Sequence, residues 1–191
     1  MRPELSSAIA EATGKPWPEM VAATQALYAP LHERPPYVDV TVDRDRRYGT
    51  HERQRLDVFH APQSSRRPAF VYVHGGGFTG GDKRSADGPY YDNVGLWAVR
   101  NGFVGVTITY RLAPDARYPS GGEDVGEALA WVHEHISGCG GDPRRIVVMG
   151  QSAGAAHVAT YIAGADPDTH ARHGVRGAVC SRVYTISTRT L

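Results

Sequence analysis

A chain of 191 residues with a formal charge of +1, 41% apolar and 21% charged, is not built mainly to hold nucleic acid or an anionic membrane. At this length one domain, with at most a short appendage, buries about 70% of the surface its unfolded chain exposes. Cys139 and Cys180 are too few and too far apart for a metal knuckle or a redox pair. They are expected as two reduced thiols, and no metal is expected. The N-terminal residues hold no apolar run of signal-peptide length, and no stretch approaches the roughly 18 apolar residues that span a bilayer. The expectation is a cytoplasmic protein with neither membrane nor nucleic acid as partner.

In chain order, Trp17, Met20, Val21, Thr24, Leu27, Tyr28 and Leu31 recur at helical spacing after Pro16 and before Pro35-Pro36. This amphipathic helix is either a packing helix or a lid segment over a pocket. Val38–Val42 and Leu56–Phe59 read as short strands. The turn between them mixes Arg44, Arg46, Arg47, Arg53 and Arg55 with Asp43, Asp45 and Glu52, and its mixed signs predict a solvated hairpin.

Ala69–Val73, Val104–Thr109 and Ile146–Met149 are β-branched, apolar runs of the kind buried on both faces. Helical patterns over Tyr90–Arg100 and Gly122–Ile136 separate them, a helix follows Ser152 to about Ala163, and Val175–Cys180 is a further strand candidate. Strand alternating with helix predicts an α/β fold: a mostly parallel central sheet of about six strands with helices on both faces. The expected organisation is an N-terminal helical, cap-like segment over residues 1–36 and an α/β domain over residues 37–191. A last strand at an open edge would invite pairing with another copy of the chain.

Two segments follow strands directly, where open α/β sheets place their ligands. Gly150-Gln151-Ser152-Ala153-Gly154 fits the pattern Gly-x-Ser-x-Gly, a sharp strand-to-helix turn that exposes a nucleophilic serine. Gly150 and Gly154 let the turn close without a Cβ collision. Ser152 then sits at a helix N-terminus, where unpaired N–H groups favour negative charge, and the N–H of Ala153 is placed to donate to an oxyanion.

His74-Gly75-Gly76-Gly77-Phe78 is the second segment. Three consecutive glycines cost backbone entropy, but let the chain approach a substrate carbonyl and turn its N–H groups inward. A phosphate-binding loop would need a following Gly-Lys-Ser/Thr, which is missing; a plain surface loop is the remaining alternative. His74 precedes the serine and ends a strand, so its expected role is to orient the glycine loop by hydrogen bonding.

These two segments, together with Tyr110-Arg111-Leu112-Ala113-Pro114, Tyr118-Pro119, Glu123-Asp124-Val125 and Gly140-Gly141-Asp142-Pro143-Arg144-Arg145-Ile146, resemble the hormone-sensitive-lipase-like branch of the α/β-hydrolase superfamily. Bacterial carboxylesterases and acetyl esterases are typical of that branch. The likeness covers Gln54 to Ala163, and the early helix is similar to the cap helix of such esterases. The resemblance implies that Ser152 attacks a small-molecule ester to form an acyl-enzyme, with the N–H groups of Gly76, Gly77 and Ala153 holding the oxyanion. It also implies that no metal or organic cofactor is needed.

In this fold the triad runs in the order Ser, Asp or Glu, then His. The residues after Ser152 leave room for one helix and one strand, fewer elements than the resemblance implies. Asp166, Asp168, His170 and His173 follow in the right order. A helix leading away from Ser152 at 1.5 Å per residue, however, carries them roughly 15 Å toward the far end of the sheet. His157, on that helix, is expected to be a packing residue. The Ser/Thr- and Arg-containing stretch from Ser181 to Leu191 also departs from the pattern, as a truncation or a frameshift near Cys180 would produce. Two readings therefore stand: an esterase whose acid and histidine lie outside this chain, or a non-catalytic pseudo-enzyme or module that binds acyl ligands or a partner.

Overall fold

A computed structural model describes residues 3–164 and 167–181. In chain order the elements are α1 (Pro3–Thr13), α2 (Trp17–Tyr28), β1 (Thr41–Arg47), β2 (Arg55–His60), β3 (Arg67–Val73) and α3 (Asp92–Arg100). They continue with β4 (Val104–Ile108), α4 (Ser120–His135), β5 (Gly141–Gln151), α5 (Ala153–Gly164), α6 (Pro167–Arg172) and β6 (Val175–Ser181). No helix among the described residues is long and apolar enough to cross a membrane.

Among the described residues the strands form one six-stranded sheet in the order β1-β2-β4-β3-β5-β6. β4, β3, β5 and β6 run parallel to one another, while β2 is antiparallel to both β1 and β4. Alternation along β3 explains the two layers. Ala69, Val71 and Val73 join Val125, Leu129, Val132 and Val158 of α4 and α5 in one core. Phe70 and Tyr72 point to the opposite face, where they meet Ala98 of α3. The sheet is thus α/β with helices on both faces, as its buried strands require.

Three local expectations change. The first strand begins at Thr41, not Val38, because Asp39 takes a positive φ of 55° and Val38 is left exposed at a turn. β1 and β2 do form an antiparallel hairpin, but Asp43 to Arg47 belong to its first strand, leaving Glu52 and Arg53 in the turn, and the charges are not all solvated. Arg44 and Asp45 are drawn into a network in which the fully buried Asp57 accepts from Arg44 at 2.8 Å and from Arg84 at 2.8 Å, with Lys83 bonded to Asp45 at 2.7 Å. The segment after α5 carries the short helix α6. The early helix ends at Tyr28 and continues as a single 3₁₀ turn over Ala29–Leu31.

Residues of the N-terminal segment rest on the chain ahead of α3. Tyr90 donates its hydroxyl to the Gln25 carbonyl at 2.7 Å, and His32 meets the Tyr90 ring edge-on. Tyr91 packs on Tyr72, whose hydroxyl donates to Gln151 Oε1 at 2.8 Å. A chain of contacts therefore leads from this segment to the residue beside Ser152.

Candidate active site

Ser152 stands between β5 and α5 with φ of +52°, a left-handed conformation that costs a non-glycine residue about 1–3 kcal/mol. The glycines on either side make this turn sterically possible. A Cβ on Gly150 would overlap the Gly154 carbonyl, and a Cβ on Gly154 would overlap the carbonyls of Val73 and His74. The turn therefore lies against the end of β3. Ser152 is partly exposed, and its N–H donates to the Ser181 carbonyl at 3.4 Å. Among the described residues its hydroxyl has no hydrogen-bond partner.

The glycine segment lies beside it. A Cβ on Gly75 would come within 3.1 Å of Ser152 Cβ and of the Gln151 carbonyl oxygen. Gly76, Gly77 and Phe78 take positive φ values of 140°, 63° and 69° in succession, so the chain turns sharply just past the serine. Gly80 N–H donates to the Gly76 carbonyl at 3.1 Å and Ala113 N–H to the Phe78 carbonyl at 2.9 Å, which closes the loop. Among the described residues the N–H groups of Gly76, Gly77 and Ala153 donate to no acceptor. Unpaired backbone donors at a helix start and on a closed loop are groups able to stabilise negative charge.

His74 is fully buried, with Nδ1 2.6 Å from the Gly75 carbonyl; because a carbonyl only accepts, Nδ1 carries the proton. Burial lowers its pKa to about 4, and the ring is neutral at pH 7. Tyr110 stacks on it and donates its hydroxyl to the His74 carbonyl at 2.9 Å. Arg53 reaches over from the charged turn, donating to the carbonyls of Tyr110 at 2.9 Å and Gly81 at 2.8 Å. The turn's composition gave no signal for Arg53, since its only distinction is a long-range contact. Tyr110 was visible only as the first residue of the Tyr-Arg-Leu-Ala-Pro run. In that run Arg111 donates its N–H and Nε–H to the buried Asp124 at 2.7 and 2.8 Å.

The later acidic and histidine residues lie elsewhere. His173 is bonded to the Tyr161 hydroxyl at 2.9 Å, and His170 packs edge-on against the same ring. Gly174, next in the chain, accepts from Ile146 N–H at the N-terminal part of β5, away from the serine turn at its C-terminal end. Asp168 lies on α6 with them, while Asp166 and the stretch from Arg182 onward lie outside the described residues. His157 wedges between the Tyr110 and Phe78 rings and against Gly121 of α4, where burial lowers its pKa. Among the described residues no histidine is hydrogen-bonded to Ser152. Cys139 and Cys180 are both free thiols.

The BD-FAE family profile matches residues 56–177. Esterase LipI of Mycobacterium tuberculosis is 41% identical over 93 residues, covering 49% of this chain and 28% of its own length. The structure of the carboxylesterase EstE1, cloned from a metagenomic library, superposes with a TM-score of 0.60 at 29% identity, covering 78% of this chain and 48% of that one. Esterase B from Lactobacillus rhamnosis shares the fold over 95% of this chain and 55% of its own, with a TM-score of 0.63 at 22% identity. The chain therefore spans about half the length of these solved structures, and its match to LipI takes in less than a third of that protein. From the strand-turn-helix serine, the glycine loop beside it and these likenesses, the chain belongs to the BD-FAE family of α/β-hydrolase carboxylesterases.

Proposed function

We propose that this chain carries the nucleophile and oxyanion half of a serine hydrolase acting on small-molecule carboxylic esters. The observation that supports this most is the placement of Ser152, at positive φ on a turn flanked by the unpaired N–H groups of Gly76, Gly77 and Ala153. In this reading Ser152 Oγ attacks the ester carbonyl carbon while its proton passes to a base. The carbonyl oxygen gains the negative charge and is held by the three N–H groups. Collapse expels the alcohol and leaves an acyl-enzyme, which water hydrolyses. Gly75, Gly150 and Gly154 permit the close approach, and His74 holds the loop. Residues 1–36 serve as a cap-like segment and residues 37–191 as the α/β domain.

The proton acceptor must be a histidine oriented by an acid, and the described residues bring neither to Ser152. Losing a triad member leaves only about 10³–10⁴-fold catalysis over water. Weak turnover of p-nitrophenyl acetate by this chain is the expected outcome. The unpartnered serine equally supports a second reading, a non-catalytic module that binds acyl ligands without turnover. A fluorophosphonate probe followed by peptide mapping separates the two. An adduct on Ser152, lost in Ser152→Ala, supports the hydrolase; no adduct in a folded protein that still binds a short-chain ester sinks it and favours the module.

A further inference from the structure

We propose that Asp43, His60 and Cys139 form a binding site for a zinc-like divalent cation, at the end of the sheet opposite Ser152. One ligand atom from each lies within 4.8 Å of the other two. Asp43 Oδ2 is 4.0 Å from His60 Nε2 and 3.8 Å from Cys139 Sγ.

Three separate elements converge here. Asp43 is in β1 and pairs with Val58, two residues before His60 in β2, so both side chains emerge on the same face of the sheet. That is the face covered by α4. Cys139 ends the 3₁₀ turn that follows α4 and packs against the same core. Because β2 runs antiparallel to β4, with Phe59 opposite Gly105, His60 lies at the start of the parallel strands and not at their catalytic ends.

The donor set is one thiol, one imidazole and one carboxylate, the combination that suits tetrahedral zinc. With metal–ligand lengths of about 2.0–2.3 Å, tetrahedral ligand atoms stand about 3.3–3.6 Å apart. To reach that spacing Asp43 must approach Cys139 by about 0.3 Å and His60 by about 0.7 Å, and His60 and Cys139 must close by no more than about 1.3 Å, movements that side-chain rotations supply. Asp43 and His60 are 29% and 19% exposed, which leaves a path from solvent. Arg46 also reaches Asp43 Oδ2, at 3.4 Å from a largely exposed position, and must give up that oxygen when the metal binds. As the metal–sulfur bond forms, the Cys139 thiol releases its proton to solvent.

Cobalt(II) titration of the 191-residue chain tests this. The expected result is one equivalent bound with a thiolate-to-cobalt charge-transfer band in the near ultraviolet, displaced by zinc. Cys139→Ser abolishes the band, whereas Cys180→Ser and Arg46→Ala keep it. His60→Gln and the isosteric Asp43→Asn weaken binding by more than the roughly 10–100-fold lost when an outer-shell partner is removed. Asp43→Asn keeps the test informative should Cys139→Ser unfold the chain. Absence of the band, its survival in folded Cys139→Ser, its loss in Cys180→Ser, or unchanged affinity in Asp43→Asn overturns the proposal.

Discussion

Tyr110 stacks on His74 with ring centroids 4.4 Å apart and donates its hydroxyl to the His74 carbonyl at 2.9 Å. One residue just past the end of β4 thus holds both the ring and the backbone of the residue that opens the glycine loop. Replacing Tyr110 by Phe keeps the stacking and removes the donor, leaving a buried carbonyl short of a partner. The expected loss is about 1–3 kcal/mol of folding stability, read from urea unfolding. A variant as stable as the parent would show that this bond does not hold the loop.

Gly154 and Gly77 separate crowding from backbone conformation. A Cβ on Gly154 would overlap the ends of β3, while one on Gly77 meets nothing within 4 Å. Gly77→Ala has only its φ of 63° to contend with, about 1–2 kcal/mol. Gly154→Ala must move backbone at the base of the serine turn and should cost more, at or above the roughly 1–3 kcal/mol of an overpacked core. Thermal unfolding of the two variants side by side gives the order; equal midpoints would contradict it.

His74 supplies a pH test. Burial lowers its pKa from 6.5 to about 4, so the unfolded chain binds more protons than the folded one between those values. Stability contributed by the neutral ring is present above pH 6.5 and declines as pH falls toward 4. The imidazole resonance of His74 should show no titration step between pH 7 and pH 5.5 in the folded protein. A midpoint near 6.5 would mean that the ring is not desolvated as its burial requires.

The ion network around Asp57 should be sensitive to a change in a single member. Asp57 is fully buried and receives Arg44, Arg84 and Lys83. Asp57→Asn removes the buried charge these cations share, and because Arg44 keeps Asp92 while Lys83 and Arg84 keep Asp45, the expected cost is at most about 3 kcal/mol. Arg84 beside it holds the Asp45 carboxyl well below the ordinary carboxylate range. The stability that Asp45 contributes is therefore complete above its unfolded pKa of about 3.9 and is lost as pH drops below it. Acid unfolding that starts no earlier in Asp45→Asn than in the parent would argue against that share.

Self-association through β6 is open to test, because among the described residues it pairs with β5 alone and Val179 is exposed. Sedimentation at rising concentration should reveal a dimer that Val179→Lys weakens. A monomer throughout would remove this surface from consideration.

The six strands, their alternation with helices and the serine turn were legible because each is written within a few residues. β3 announces itself by Phe70 and Tyr72 alternating with Ala69, Val71 and Val73, and the turn at Ser152 by the two glycines that alone fit beside Val73 and Ala155. Asp43 to Arg47 misled for the opposite reason. Their charge pattern looks solvated until the network with Asp57, Lys83 and Arg84 is in place, and those partners lie far along the chain.

The sequence by itself determined that a serine would stand on a strained turn beside a triple-glycine loop, since sterics at glycine act over one or two residues. Only the tertiary structure decided what secures that loop: Arg53 across the carbonyls of Tyr110 and Gly81, and Tyr110 upon His74. It also brought Asp43, His60 and Cys139 to one end of the sheet. Strand register and helix packing bring such side chains together, and neither is recorded in any short stretch of the chain.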